Sequence, residues 1–416
     1  MTFCCFRGDT QLSEEDLQVH LASAFRLENI GALIGAGGSV CAGGKTIKQL
    51  WLEFIEEEAE TAGMLAIYSF IEKEEADPQT FHDDPTRQPP NIEELLDALE
   101  IALIEAKRVG QQGDLYDLLN NASNCLLRYI TKAAILNEEC WSNIQSPKHF
   151  PSHAEFIQKL IGARQPGQPS PWVFTTNYDL AFEWAAEESG VILNTGFSGI
   201  HSRKFSPQIF DLGVHNAKAS GEARFGCNDV YLGKLHGSLT WKRHGSEFIE
   251  HASSSVWSEL KGFIDGEQNL SNELMVYPRA AKYRQTNGYI SGELFRRLSD
   301  FLAKPQGCLI VSGFSFGDGH INRLIRSALT NPTLQLIAFV PEFTSLGEDS
   351  LNQLKPELKS LAQVRSPRVT LVGGDQAYFQ NLVSYLPSPA LFDSKEQELR
   401  DRIKSMSEDN GGYHED

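Results

Sequence analysis

The chain has 416 residues, of which 41% are hydrophobic and 22% charged, a composition typical of a soluble globular protein and unlike collagen or a disordered chain. Acidic residues outnumber basic ones by 55 to 37, and the resulting net charge of −18 argues against a broad basic face that would bind nucleic acid directly. The 7 cysteines include no C-x-x-C pair, and no long apolar run or basic leader occurs, so we expect a cytoplasmic chain without a zinc ribbon, membrane span or secretion signal.

The first predicted elements are a capped helix and a buried strand. Ser13 precedes an acidic turn and apolar residues then recur at helical spacing, which predicts an amphipathic helix over residues 11–27. The apolar run at 30–34 stops at glycines. This pattern predicts a buried strand followed by a tight turn into a helix.

Residues 50–150 are predicted to form an all-helical insertion, whose far edge is marked by Pro147 and Pro151. Much of the acidic excess falls here, which indicates a solvated or partner-facing surface. The predicted parts are an acidic helical stretch at 50–75, an exposed proline-rich loop at 77–90, a helix that begins at Asn91, and a helix over 115–135.

Short apolar runs alternate with helical patterns in the remainder of the chain, which favours a parallel sheet covered on both faces. The predicted fold class is therefore α/β, with a Rossmann-like parallel sheet built from residues 1–49 and 151–393 around the helical insertion. The charged tail at 394–416 is predicted to be a last, fraying helix. The predicted strands of this part lie at 172–176, 191–193, 230–235, 274–277, 308–311, 334–340 and 369–372.

The glycine-rich stretch at 35–39 follows the first buried strand, where an α/β fold lets backbone amides approach a phosphate. The dinucleotide fingerprint G-x-G-x-x-G would need glycine at position 40, where Val40 stands. A P-loop would end in Gly44, Lys45 and Thr46, but Ser39 occupies the position of its first glycine. A tight turn without a ligand therefore stays open as an alternative.

Three polar clusters fall at predicted strand ends, where an open α/β sheet binds ligands. Taken singly, each has a structural explanation, namely a polar helix cap, a satisfied core histidine or a glycine turn. The clusters are Thr175-Thr176-Asn177-Tyr178-Asp179, Leu235-His236-Gly237-Ser238 and Ser312-Gly313-Phe314-Ser315-Phe316-Gly317-Asp318.

Together with the glycine turn, these clusters in this order resemble the sirtuin superfamily, and within it the bacterial sirtuin-like NADases of antiphage defence. The resemblance covers residues 28–45 and 170–376. It implies Asn177 and His236 as catalytic residues, with Asn177 against the nicotinamide ribose and His236 as general base. It also implies NAD contacts by Gly35, Ala36, Gly37, Ser39, Thr176, Asp179, Gly313, Ser315 and Asp318, and, more weakly, by residues 340–342 and 373–375.

The residue types suit cleavage of the bond between nicotinamide and ribose. The amide of Asn177 can donate to and accept from a ribose hydroxyl or a positioned water. The imidazole of an unperturbed histidine has a pKa near 6.5, so a histidine such as His236 is a suitable residue to take a proton at neutral pH.

Two features depart from the protein-deacylating sirtuins. Residues 228–307 contain no cysteine, so the zinc module of those enzymes is missing, and the Pro-Asp-Phe-Arg stretch that follows their glycine turn is replaced by Gly43-Gly44-Lys45-Thr46. We therefore expect NAD as a substrate, water as the acceptor and no zinc.

The resemblance further implies a homo-oligomer gated by a partner, and it offers a HerA-type hexameric ATPase as the candidate partner. Two alternatives stay open. The chain could be an NAD-dependent protein deacylase, or a nucleotide-binding assembly subunit with little catalysis.

Overall fold

The computed structural model of the chain describes residues 3–84, 87–110, 113–143, 149–165, 167–221, 228–245, 247–269 and 288–388. The strand predicted at 274–277 and the helix predicted in the tail at 394–416 lie outside these residues.

A nine-stranded sheet forms the centre of the fold, in the order β2-β1-β13-β12-β11-β3-β4-β8-β5. The strands from β13 to β5 run parallel, which confirms the predicted α/β class, whereas β1 and β2 add an antiparallel edge that the sequence did not predict. A second, antiparallel sheet of four strands in the order β6-β7-β10-β9 was also not predicted. The strands are β1 Cys4–Arg7, β2 Thr10–Gln11, β3 Asn29–Ile34, β4 Trp172–Thr175, β5 Ile192–Asn194, β6 Phe197–Ser198, β7 Arg203–Phe205, β8 Asp229–Lys234, β9 Trp241–His244, β10 Glu247–Glu250, β11 Gly307–Ser312, β12 Gln335–Phe339 and β13 Val369–Gly373.

Helices cover both faces of the large sheet and form a separate group between β3 and β4. The α-helices are α1 Glu14–Ala24, α2 Ile47–Glu57, α3 Ala59–Ile67, α4 Pro78–Asp83, α5 Ile92–Arg108, α6 Asp114–Ile135, α7 Glu139–Ser142, α8 Pro151–Gly162, α9 Ala181–Glu188, α10 Ser253–Ile264, α11 Gly288–Ala303, α12 Gly319–Ala328, α13 Glu348–Asn352, α14 Pro356–Gln363 and α15 Phe379–Tyr385. Shorter 3-10 helices lie at Ala36–Ala42, Lys73–Glu75, Pro207–Asp211 and Gly374–Ala377.

The side chains of the central strands alternate between two hydrophobic cores, as the pleat of a sheet covered on both faces requires. In β11, Cys308 and Ile310 point into one core, whereas Leu309 and Val311 point into the other. The helices α2 to α6 have a third core of their own. This helical group therefore packs largely around itself.

The exposed loop predicted at 77–90 was wrong in part. Asp77 caps helix α4 by accepting a hydrogen bond from the amide of Gln79, and Pro78 occupies the first turn, where a missing N–H costs nothing. The side chain of Phe81 is buried in the third core. The prolines and acids that indicated a loop thus include the start signal of a short helix.

The register of the central strands aligns their carboxyl ends. Ser312 pairs with Ile34, Ile34 with Thr175, and Thr175 with Lys234. The residues that follow these four positions therefore lie side by side at the edge of the sheet that is formed by the carboxyl ends of the strands. None of the helices in the described part of the chain has the length and apolar character needed to cross a membrane.

Candidate active site

The glycine turn after β3 packs backbone against backbone on the loop after β11. The amide of Gly37 donates to the carbonyl oxygen of Gly313 at 2.9 Å, and that of Gly35 donates to the carbonyl oxygen of Ser312 at 3.0 Å. Gly313 has a φ of +64°, and a Cβ there would lie 2.2 Å from the backbone nitrogen of Gly38. These glycines are therefore required for close approach of the two loops, and the amides of Gly35 and Gly37 are already engaged within the protein.

Asn177, Ser39 and Asp179 form a buried hydrogen-bonded chain between the ends of β3 and β4. The Nδ2 of Asn177 donates to the Oγ of Ser39 at 2.8 Å, and this hydroxyl donates to the Oδ2 of Asp179 at 2.7 Å. The other oxygen of Asp179 accepts a hydrogen bond from the amide of Ala181, the first residue of helix α9. The structure thus brings together three of the residues that the sequence singled out.

The side-chain amide of Asn177 is fixed in one orientation. Its Nδ2 also donates to the carbonyl oxygen of Gly35 at 3.0 Å, and a carbonyl can only accept, so this atom is the nitrogen. The Oδ1 of Asn177 is buried and has no hydrogen-bond partner among the described residues. A buried acceptor without a partner is costly, and it marks a place where a ligand hydroxyl or a water fits.

The expectation that Asn177 both donates to and accepts from its ligand needs adjusting. Both N–H groups of its amide are committed to Gly35 and Ser39. Only the acceptor oxygen is left for a ligand.

His236 lies at the next strand end, since Asn177 and His236 each follow the register pair Thr175–Lys234 by two residues. Its Nε2 lies 2.9 Å from the Oδ2 of Asp318, and both side chains are largely buried. Burial would by itself raise the pKa of Asp318, but the hydrogen bond and charge of His236 and the amides of Ile321 and His320 together hold that pKa below its ordinary value.

The His236–Asp318 contact spans the site. Asp318 follows β11, whereas His236 follows β8, and β3 and β4 lie between these strands. At a spacing of roughly 4.8 Å between neighbouring strands, the ends of β11 and β8 lie about 14 Å apart, and this is the distance that the two loops together bridge. Residues 313–318 therefore cross the carboxyl ends of β3 and β4, where the glycine turn and Asn177 lie.

The remaining predicted NAD contacts lie at the same edge with differing surroundings. Ala36, Thr176 and Ser315 are half-buried, and the amide of Thr176 extends the ladder by donating to the carbonyl oxygen of Ile34. Residues 340–342 and 373–375 follow β12 and β13, and they contact each other through the amide of Gly374 and the carbonyl oxygen of Pro341. These two loops lie farther along the edge from Asn177.

A buried ion pair that the sequence analysis missed braces the loop after β4. The ammonium group of Lys234, whose side chain is 2% exposed, bonds to the Oε1 of Glu183 at 2.8 Å and to the carbonyl oxygens of Tyr178 and Asp179. Burial raises the pKa of Glu183 despite the opposing charge of Lys234. A lysine at the last position of an otherwise buried strand was the signal available in the sequence.

The two remaining features concern metal ligands and a cleft elsewhere in the described part of the chain. Among the residues that the structure describes, no group of three or more histidine, cysteine, aspartate or glutamate side chains is arranged to hold a metal. A cleft of about 430 Å³ lies at the opposite, amino edge of the sheet, lined by Trp172, Tyr231 and Arg297 among others. This cleft is separate from the cluster of Asn177 and His236.

Comparison with known proteins bears on this edge of the sheet. A search of curated proteins found no match to the chain. A family model described as the SIR2-like domain matches residues 171–360, which include Asn177, His236 and Asp318. The glycine turn lies outside the match, but β3 lies between β4 and β11 and is thus part of the same sheet. Residues 171–360 are therefore similar to the SIR2-like domain, and this similarity points to an NAD-using protein.

Proposed function

We propose that the chain hydrolyses NAD⁺ to nicotinamide and ADP-ribose. The observation that carries the proposal is the buried Oδ1 of Asn177, which has no hydrogen-bond partner among the described residues and lies beside His236, within the stretch that matches the SIR2-like domain. We propose that Asn177 and His236 are the catalytic residues, with Asn177 acting through its oxygen alone, and that the NAD contacts expected from the sequence, Asp318 excepted, bind NAD⁺.

The residues at the strand ends suit a ribose ring. The fixed Oδ1 of Asn177 would accept a hydrogen bond from a ribose hydroxyl and so hold the ring in one orientation. Ser39 and Asp179 keep the amide in place from behind. Residues 313–318 cross this edge and would limit the access of water.

The reaction balances with water as the second substrate. The bond between nicotinamide and the ribose carbon breaks, neutral nicotinamide leaves, a water oxygen forms the new bond to that carbon, and one proton is released. His236 can take this proton, directly or through a ribose hydroxyl, because imidazole titrates near neutral pH.

The proposal is tested by following nicotinamide released from NAD⁺ by the purified chain, alone and with candidate partners. We expect release by the wild type, and loss of release in Asn177→Ala and His236→Ala. The matched control is Asn352→Ala. Asn352 accepts a hydrogen bond from Lys359, and both residues lie in the helical connection between β12 and β13, away from the strand ends that carry Asn177. Release that requires an acetylated peptide would support the deacylase alternative, and equal release by all four proteins would contradict the assignment of the site.

We further propose that this activity serves bacterial antiphage defence by NAD⁺ depletion, gated by self-assembly and by a hexameric ATPase partner of the HerA type. An ungated NADase would harm its own cell, which is the physiological argument for a gate. The helices α2 to α6 pack around a core of their own, and we propose this helical group for such contacts. The test is the NAD⁺ content of infected cells that carry the chain with and without the ATPase; an NAD⁺ level that infection does not lower in either case would refute this role.

A further inference from the structure

The positions of the protons on the His236–Asp318 pair follow from the charge of Asp318 and from the contact between the two side chains. Asp318 has its pKa held below the ordinary range, so its carboxylate is ionised at neutral pH. An ionised carboxylate only accepts hydrogen bonds, so the Nε2 of His236 carries the proton in the 2.9 Å contact. In the neutral ring, the lone pair that can take a further proton is then on Nδ1.

The carboxylate of Asp318 is itself held in place. Its Oδ1 accepts from the amides of His320 at 2.7 Å and Ile321 at 3.0 Å, at the first turn of α12. Only Oδ2 is directed at His236. Because two backbone amides fix one oxygen, the position of the other oxygen is also fixed.

The rest of the 313–318 loop is anchored as well. Gly313 packs against the glycine turn, and the carbonyl oxygen of Phe316 accepts a hydrogen bond from the Nδ2 of the buried Asn322 at 2.8 Å. Phe316 has a φ of +53°, a conformation that a bulky residue adopts only when its surroundings hold it there. These contacts therefore hold the loop, and with it Asp318, in one position.

We propose that Asp318 is a positioning residue that fixes the ring orientation and tautomer of His236, so that Nδ1 is the atom that takes the proton. The proposal rests on the proposed NAD⁺ hydrolysis and replaces, for Asp318, the expectation of a direct contact with NAD. The other charged groups at these strand ends, Asp179, Glu183 and Lys234, are bonded to Ser39, to backbone groups and to one another.

The deciding variant is Asp318→Asn. Asparagine is as good a helix cap as aspartate, so α12 keeps its first turn. Its side-chain N–H₂ group would face Nε2, which favours the opposite tautomer and puts the proton on Nδ1. We expect kcat to fall on the order of 10²–10⁴-fold, as when the orienting carboxylate of a catalytic histidine is replaced by an amide, with KM for NAD⁺ within about twofold of wild type.

Two further variants control the interpretation. Asp77→Asn changes an aspartate that caps α4 in the helical group, and we expect it to leave kcat and KM unchanged. Asp318→Glu keeps the charge, and we expect it to restore part of kcat. A KM increase with kcat unchanged in Asp318→Asn would mean that Asp318 contacts NAD and would overturn the proposal, as would wild-type kinetics.

The pH profile and the ring spectrum give independent readouts. Removing the carboxylate removes a charge that favours the imidazolium form, so the acidic limb of kcat should move to lower pH in Asp318→Asn. In ¹⁵N spectra assigned with His236→Gln, the proton of the neutral ring should lie on Nε2 in wild type and on Nδ1 in Asp318→Asn. The same tautomer in both proteins would overturn the proposal. If the wild type releases no nicotinamide, the proposed hydrolysis fails while the spectra still decide the role of Asp318.

Discussion

The contact between the glycine turn and the loop after β11 makes Gly313→Ala the sharpest structural perturbation of the site. Alanine at this position has to adopt a φ of +64°, and its Cβ would overlap the backbone nitrogen of Gly38 at 2.2 Å and the carbonyl carbon of Gly37 at 2.6 Å. No rotamer relieves a clash between Cβ and backbone, so the two loops must separate. We expect a loss of about 2–5 kcal/mol, from roughly 1–2 for the left-handed backbone and roughly 1–3 for overpacking.

The assay for Gly313→Ala combines urea unfolding with nicotinamide release. We expect a lower midpoint and a large loss of activity, because moving this loop displaces the carbonyl of Gly313 from Gly37 and shifts Asp318 relative to His236. The matched control is Gly319→Ala, since a Cβ there meets no atom of the described residues within 4 Å and lies in the first turn of a helix. Wild-type stability and activity in Gly313→Ala would refute the argument that these glycines are present for close packing.

Three other substitutions test the buried groups around the site. Ser39→Ala removes two buried hydrogen bonds, one of them to a carboxylate, and we expect a loss of about 2–4 kcal/mol in urea unfolding and a lower kcat as the amide of Asn177 loses an anchor. Lys234→Met leaves the half-buried carboxylate of Glu183 without its cation and should cost about 3–5 kcal/mol, whereas adding Glu183→Gln should recover part of this in the same assay. His153 is buried among aromatic rings, its two ring nitrogens have no hydrogen-bond partner among the described residues, and burial lowers its pKa to about 4. The unfolded chain therefore binds more protons between about pH 4 and 6.5, stability falls as the pH drops through this window, and His153→Phe should remove about 2 kcal/mol of the loss seen at pH 5.

Each of these expectations has an outcome that contradicts it. Unchanged kcat in Ser39→Ala would show that Gly35 alone holds Asn177. A single Lys234→Met variant as stable as the double variant would mean that Glu183 is neutral or solvated without the lysine. A His153→Phe protein that loses as much stability as the wild type between pH 7 and pH 5 would place the acid sensitivity elsewhere.

The predicted strands at 30–34, 172–176, 308–311, 334–340 and 369–372 each have a counterpart in the sheet, because buried parallel strands read as continuous apolar runs bounded by glycine and polar residues. The edge strands β1 and β2 are short and carry few such cues. The pairing of Cys4 with Gly373 joins residues at opposite ends of the described chain, which local sequence patterns do not specify. The same reason explains why the small antiparallel sheet was missed.

Side-chain partnerships at the site show a similar limit. The sequence placed Asn177, His236 and Asp318 at strand ends, but the partner of each depends on the order of strands in the sheet. Only that order brings Asp318 across two strands to His236. The glycine turn shows the same limit. Its sequence is typical of phosphate binding, but in the structure at least two of its N–H groups donate to carbonyl oxygens of the protein.

The acidic residues of the helical segment are partly engaged within it. Glu53 forms ion pairs with Lys45 and Lys132, and Glu57 accepts a hydrogen bond from the hydroxyl of Tyr129. If this segment binds a partner through acidic residues, the other carboxylates of the segment would have to make those contacts. Periodicity located these helices, whereas the distribution of their charges between internal pairs and the surface needed the structure.

The most direct test of the central claim is a ¹H NMR time course of NAD⁺ mixed with the purified chain, with and without an activating partner. We expect nicotinamide and ADP-ribose to appear in equal amounts as NAD⁺ disappears, in wild type but not in Asn177→Ala. NAD⁺ that persists unchanged under every condition, together with no binding at millimolar NAD⁺ by calorimetry, would contradict the assignment of this strand edge as an NAD-cleaving site.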